Sequence, residues 1–192
     1  RLTPGVYERV RSAKVGIAGL GGLGSNIAMM LARTGIGLLV LADFDTVEPS
    51  NLNRQCYGVS HLGMQKTDAC ANQIREINPL VQVQTYPHRI TARNAVSCFG
   101  ACDIVCEAFD NPCAKAELIN AILEMEKGPI LVSGSGMAGM DSANRIHTRR
   151  ALRRLYVCGD ETSEAREGVG LMAPRVTVCA GHQANMALRL LM

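Results

Sequence analysis

The segment from Lys14 to Gly35 constrains the chain most, because it sets Gly19-Leu-Gly21-Gly22-Leu-Gly24 between two apolar runs. Lys14-Val-Gly-Ile-Ala18 has the length and composition of a buried strand, and Gly22 to Thr34 has the spacing of a helix that Gly35 ends. A GxGxxG turn in that context is the phosphate-binding corner of a Rossmann unit. Glycine admits the tight turn and a close approach of phosphate to backbone. The free N–H groups at the helix start add hydrogen bonds and the positive end of a dipole. Asp43 follows Gly24 at about the 20-residue offset of the ribose-binding acid, at the end of the apolar run Leu38 to Ala42. A bland reading stays beside this one, in which the glycines only pack a helix on a strand.

The rest of the chain repeats the alternation. A long polar connection, Asp43 to Gly63, leads to a helix from about Met64 to Ile77, closed by Asn78-Pro79. Connections of that length usually carry sites. Val81 to Thr85 and Ile104 to Ala108 read as strands, Pro112 to Met125 as a helix with Asn111 as a candidate N-cap, and Pro129 to Val132 as a further strand. Asn144 to Thr148 is a weaker candidate strand, Asp160 to Gly170 a mobile acidic loop, and Pro174 to Leu191 a final amphipathic helix. Strands alternating with helices imply an α/β fold, a Rossmann-like doubly wound and mostly parallel sheet flanked by helices. With 192 residues, 47% of them hydrophobic, one domain over residues 1–192 is expected.

Composition removes other classes. The net charge is +3, and the Arg149, Arg150, Arg153, Arg154 cluster reads as a solvated face, so no nucleic-acid partner is expected. Val15 to Ala32 is broken by glycines, Ser25 and Asn26, so no membrane span is expected either. No leader pattern opens the chain, and a cytoplasmic location is the default expectation. The eight cysteines contain no CxxC pair, so no zinc is expected; Cys102 and Cys106 read as small hydrophobes on one face of one strand.

The glycine turn alone fits NAD as well as ATP. What separates them is Asp43-Phe-Asp45-Thr-Val-Glu-Pro-Ser50-Asn51-Leu-Asn53-Arg54-Gln55, which has no counterpart in the generic dinucleotide fingerprint. Asn51, Arg54 and Lys66 bring an amide and two cations toward the strand ends, where a triphosphate would lie, with Asp45 and Ser50 in the same polar run. Asp110, directly after a strand, suits one ligand of a Mg²⁺ ion, and Asn111 suits either that role or a helix cap. Taken singly, Arg54 reads equally as a solvated loop residue and Lys66 as an exposed first-turn residue.

Together, GLGGLGS, LADFDTVEPSNLNRQ, Lys66, Phe109-Asp110-Asn111 and GLMAPRV resemble the ubiquitin-activating-enzyme-like adenylyltransferases. Within that group the chain is most similar to the short, zinc-free ThiF-type enzymes of thiamine biosynthesis. The resemblance implies ATP and Mg²⁺ as ligands, a homodimer, and as partner a ubiquitin-like sulfur carrier protein ending in Gly-Gly. It implies Gly22 against the nucleotide, Asp43 on the ribose, Asn51 and Arg54 on the phosphates, Lys66 near both, and Asp110 on Mg²⁺. Arg54, Lys66 and Asp110 are the expected catalytic residues. Gly19, Gly21, Gly24, Asp45, Ser50 and Asn111 complete the expected nucleotide contacts.

Three departures from the family pattern are expected. The N-terminal Arg-Tyr helix that lends an arginine to a neighbouring site is missing or cut short, with Arg1 and Arg9 as poor substitutes. The zinc cysteines are absent. Thr162-Ser163 stands where some relatives carry a sulfur-accepting cysteine, so a separate sulfur donor is expected. Two other readings stay open: an NAD-dependent oxidoreductase, and a nucleotide-binding partner subunit inactive alone.

Overall fold

Apolar runs of four or five residues become the strands, and the glycine or polar stretches between them become the turns that feed the helices. The computed structural model describes residues 3–166 and 168–192. The order is α1 (Pro4–Ser12), β1 (Lys14–Ala18), α2 (Gly22–Thr34), β2 (Leu38–Ala42), α3 (Lys66–Ile77), β3 (Gln82–Tyr86), α4 (Ala92–Phe99) and β4 (Ile104–Glu107). Then come α5 (Pro112–Leu123), β5 (Ile130–Gly134), β6 (His147–Leu152), β7 (Leu155–Gly159) and α6 (Ala173–Leu191). The seven strands form one sheet in the order β3-β2-β1-β4-β5-β7-β6, parallel throughout except for β6 against β7. The strand order reverses between β1 and β4, which opens a crevice beyond their carboxyl ends.

Two cores cover the two faces. On one, Ile27 and Leu31 of α2, Ile74 of α3 and Val176 and Ala180 of α6 pack on Val15, Ile17, Leu39 and Leu41. On the other, Ala95 and Phe99 of α4 and Leu118 and Ile122 of α5 pack on Val40, Val105 and Leu131. The α2 helix comes very close to β1: a Cβ on Gly24 would stand 1.8 Å from the Gly19 carbonyl oxygen, itself in a turn whose φ is +91°. Gly24 therefore brings the helix start down onto the strand end.

Several expectations need correction. The strand expected at 144–148 begins at His147, and Ala143–Arg145 is a single 3-10 turn. The first strand of the polar half, β3, begins one residue later than expected. Cys102 and Cys106 do not share a face: β4 starts only at Ile104, and Cys102, in the turn before it, packs in the α4–α5 core while Cys106 faces the other. A helix does form near the N-terminus. In α1 the Arg9 guanidinium donates to the Met192 carbonyl and Arg11 to the Tyr7 hydroxyl, while Arg1 lies outside the described residues. The apolar segment Ile27 to Leu31, from which an uncovered face and a dimer were inferred, is covered within the chain, with Ile27 and Leu31 buried and α6 packed on α2. Among the described residues no helix is long and apolar enough to cross a membrane.

Candidate nucleotide-binding site

The crevice at the strand-order reversal is a cleft of about 870 Å³, open to solvent at its mouth. Its floor is the glycine turn, Gly19, Gly21 and Gly22, at the N-terminus of α2. A Cβ on Gly22 would stand 3.0 Å from Val176 Cγ1 and 3.5 Å from Arg54 Cγ, so the bare backbone there leaves room between the last helix and the arginine stem.

Asp43 stands at the end of β2 with its carboxylate held from both sides. Leu20 N donates to Oδ2 at 2.6 Å and Asp45 N donates to Oδ1 at 2.8 Å. Burial pushes its carboxyl above the usual aspartate value, against the lowering effect of those two amides and of Lys66. The Tyr57 hydroxyl donates to the Leu20 carbonyl at 2.9 Å and so steadies the turn that holds Asp43.

The connection after Asp43 is more ordered than its polar composition suggests. It contains two single-turn 3-10 helices, Pro49–Asn51 and Val59–His61. Side chains of α2 pin its second half: Asn26 Nδ2 donates to the Arg54 carbonyl at 3.2 Å, and Ser25 Oγ accepts from Cys56 N at 3.0 Å. Arg54 Nη1 donates to the Ser50 carbonyl at 3.2 Å and to Asn53 Oδ1 at 2.8 Å, while its Nε has no protein partner. Lys66, at the first turn of α3, is buried with its Nζ 3.0 Å from Asp45 Oδ2, a half-exposed carboxylate. The Lys66 ammonium is thus kept charged at the cleft edge by a partner that an incoming anion can replace.

Eight expected residues line the cleft: Gly19, Gly21, Gly22, Asp43, Asp45, Arg54, Lys66 and Asp110. Four do not, and each has other work. Gly24 seats the helix. Asn51 Oδ1 accepts from Glu48 N at 3.0 Å and so closes the turn that presents Arg54, and Ser50 is exposed with its carbonyl taken by Arg54. Asn111 caps α5, its Oδ1 accepting from Ala114 N at 3.0 Å, which decides between its two readings. The sequence reading missed the apolar walls, among them Phe44, Ile90, Phe109 and Val176, and also Gln55 and His88. Arg89 stacks over the Phe44 ring at 4.3 Å and fixes it at the rim. The alternation ending at Tyr86 was the available signal for His88 and Ile90, which follow a strand's carboxyl end.

Asp110 is exposed at the end of β4 and has no ion-pair or hydrogen-bond partner among the described residues. Among those residues no cluster of three or more His, Cys, Asp or Glu could enclose a metal ion by itself. A single free carboxylate facing a phosphate site does fit a Mg²⁺ ion that arrives with its nucleotide, since that ion takes one or two carboxylates and completes its shell with phosphate oxygens and water.

The ThiF family model matches residues 2–192. The chain belongs to the ThiF family. It is 34% identical over 197 residues to the adenylyltransferase and sulfurtransferase uba4 of Pyricularia oryzae, covering 95% of this chain and 40% of that protein. It is 48% identical over 85 residues to the ubiquitin-like modifier-activating enzyme 5 of Arabidopsis thaliana, covering 44% of this chain and 20% of that protein. The chain thus spans less than half the length of these ThiF-family relatives. The E. coli tRNA N6-threonylcarbamoyladenosine dehydratase TcdA, solved in complex with ATP, shares the fold with a TM-score of 0.89 at 24% identity, over 98% of this chain and 89% of that one. The family resemblance and the expected fold class are both borne out.

Proposed function

We propose that the chain is an ATP-dependent adenylyltransferase acting on the C-terminal carboxylate of a ubiquitin-like carrier protein. The observation that carries the reading is the convergence of Arg54 and Lys66 on the glycine turn opposite the ribose-side Asp43. A dinucleotide brings two phosphates bridged between nucleosides and no free terminal charge. Two cations at the mouth of the turn match the higher charge of a triphosphate. The printed functions of the Pyricularia and Arabidopsis relatives, and the ATP held by TcdA, support it.

In this reading the carrier carboxylate oxygen attacks the α-phosphorus, a P–O bond forms to give the acyl-adenylate, and the bond to pyrophosphate breaks. No protein nucleophile is needed, and the chain acts by holding the reactants and balancing charge. Asp43 accepts from the ribose, the α2 N-terminus meets the phosphates, and Arg54 and Lys66 stabilise the departing pyrophosphate. Lys66 exchanges Asp45 for phosphate oxygen as ATP enters. Asp110 would hold Mg²⁺, which when bound offsets phosphate charge.

The thiamine pathway belongs to this proposal as one source of the carrier. The Pyricularia relative's printed sulfurtransferase activity makes a second sulfur route an equal candidate. The dimer loses the observation that suggested it, so the reading is framed on one chain. Calorimetric titration tests the nucleotide: ATP with Mg²⁺ is expected in the micromolar range common for enzyme substrates, with NAD far weaker. NAD binding tighter than ATP would return the chain to the oxidoreductase reading. ATP–pyrophosphate exchange with a panel of small Gly-Gly-terminated proteins tests the reaction, and ATP binding without exchange on any carrier would favour the inactive partner subunit.

The carrier is expected to leave without a bond to this chain. Cys158 is buried in β7 with its thiol pushed up to about 11 by burial, and Cys179 in α6 is pushed up to about 12 for the same reason. Among the described cysteines Cys113 alone is exposed. Intact-mass measurement after incubation with carrier and ATP-Mg²⁺ is expected to find free enzyme. A reductant-sensitive adduct lost in Cys113→Ser or Cys158→Ser would overturn this expectation.

A further inference from the structure

The end of β4 carries a buried charge that the proposed chemistry does not use. Glu107 is fully buried, and its carboxylate is completely engaged. Oε1 accepts from Phe109 N at 2.7 Å, while Oε2 accepts from Ser133 Oγ at 2.5 Å and pairs with Lys115 Nζ. Lys115 Nζ also donates to the Gly134 carbonyl at 2.9 Å. From the other side Gln183 Nε2, in α6, donates to the carbonyls of Glu107 and Val132, both at 2.9 Å. The carboxyl ends of β4 and β5 are thus tied to each other, to α5 and to α6.

Glu107 and Lys115 are the two ends of the segment that crosses from β4 into α5, and Asp110 lies between them. The ion pair therefore closes this crossing into a short loop. Within it the Phe109 amide is bound to Glu107 and the Asn111 side chain caps α5, which leaves Asp110 few directions to face. A buried ion pair is seldom kept for stability, because well-packed apolar side chains of the same volume often serve as well or better. Here both charged groups also grip backbone, the Phe109 amide and the Gly134 carbonyl, which apolar substitutes could not do.

We propose that the Glu107–Lys115 pair is a positioning device for Asp110, stapling the β4–α5 crossing so that the Asp110 carboxylate meets the divalent cation carried by the nucleotide. The proposal rests on the ATP-Mg²⁺ reading above. Glu107 and Lys115 touch no substrate in it and act only through Asp110. Lys115 stands in the α5 helix with its side chain turned inward, and it is not part of the cleft wall.

Calorimetric affinity for ATP, measured with Mg²⁺ and again with EDTA, separates this role from a structural one. Lys115→Met is expected to lose about tenfold or more of the Mg²⁺-dependent gain in affinity, the usual scale for removing a residue that orients a metal ligand. Its affinity for metal-free ATP should stay within about twofold of wild type, and Lys115→Arg should restore the gain. Where Lys115→Met does not fold, Glu107→Gln, which keeps the shape and an acceptor for the Phe109 amide, carries the same expectation. A variant that keeps the full Mg²⁺-dependent gain overturns the positioning role, as does an equal fall in both affinities. A wild-type protein with no such gain would overturn the ATP-Mg²⁺ reading and this inference with it.

Discussion

Arg54→Ala is expected to slow carrier adenylation by about 10²-fold or more, the scale for removing one preorganised donor aimed at developing charge. The side chain crosses the glycine turn beside Gly22, and its Nε has no protein partner to lose. Its other contacts, to the Ser50 carbonyl and Asn53 Oδ1, lie within its own turn. Truncation therefore removes charge at the phosphates with little change in packing, and the thermal midpoint should move by no more than a few degrees. Because the charge on the phosphates grows as pyrophosphate departs, the loss should fall mainly on the turnover rate and less on the affinity for ATP. Pyrophosphate exchange on the carrier found active with wild type, read with ATP held at saturation, makes the measurement. An exchange rate within a few-fold of wild type would mean that Arg54 does not face the reacting phosphates.

The sheet was largely legible because its strands are short apolar runs that a parallel arrangement buries on both faces, and β1, β2 and β4 begin where the runs begin. The α4 helix was not legible. It has only eight residues, and its start is marked by Asn94 reaching back to Thr91 N rather than by the usual Glu or Gln. The β6–β7 hairpin was blurred for another reason: its edge strand carries Thr148, Arg149 and Arg150, which face solvent and hide the alternation. At the site, the charged half could be read from DFDTVEPSNLNRQ because each polar residue in a long connection asks for a reason. The apolar half could not. Phe44, Ile90, Phe109 and Val176 come from four separate segments, and only the sheet order brings them together. Ser50 and Asn51 show the converse error, since a polar side chain beside a phosphate site can be taken by the turn that builds it.

Asp160→Asn is expected to destabilise the chain by about 3–5 kcal/mol, because it leaves a buried guanidinium without its counter-ion. Asp160 and Arg175 side chains are 3% and 4% exposed, with Nη2 to Oδ2 at 2.5 Å. Arg175 also donates to the Ala138 carbonyl and to Ser163 Oγ, the latter at 3.2 Å, and its Nε is already unpartnered. The pair therefore locks three pieces together: the start of α6, the turn after β5, and the base of the loop that follows β7. That base has no slack, since a Cβ on Gly159 would stand 1.7 Å from the Ser135 carbonyl oxygen. For a domain of this size the loss corresponds to a fall in thermal midpoint of roughly 6–20 °C. Arg175→Met combined with Asp160→Asn should recover part of the loss, because no unpaired charge is then buried. The pH dependence gives an independent check. Burial alone would raise the Asp160 carboxyl, yet the Ser163 and Thr162 amides and the Arg175 guanidinium hold it well below the usual carboxylate range. A depressed native pKa adds stability that is complete above the unfolded value near 3.8 and is lost as pH falls toward the lower native one. The stability gap between wild type and Asp160→Asn should thus be constant from neutral pH down to about 5 and shrink below 4. Urea unfolding across that range measures it, and a gap under about 1 kcal/mol at pH 7 would show that the pair is no more than a surface contact.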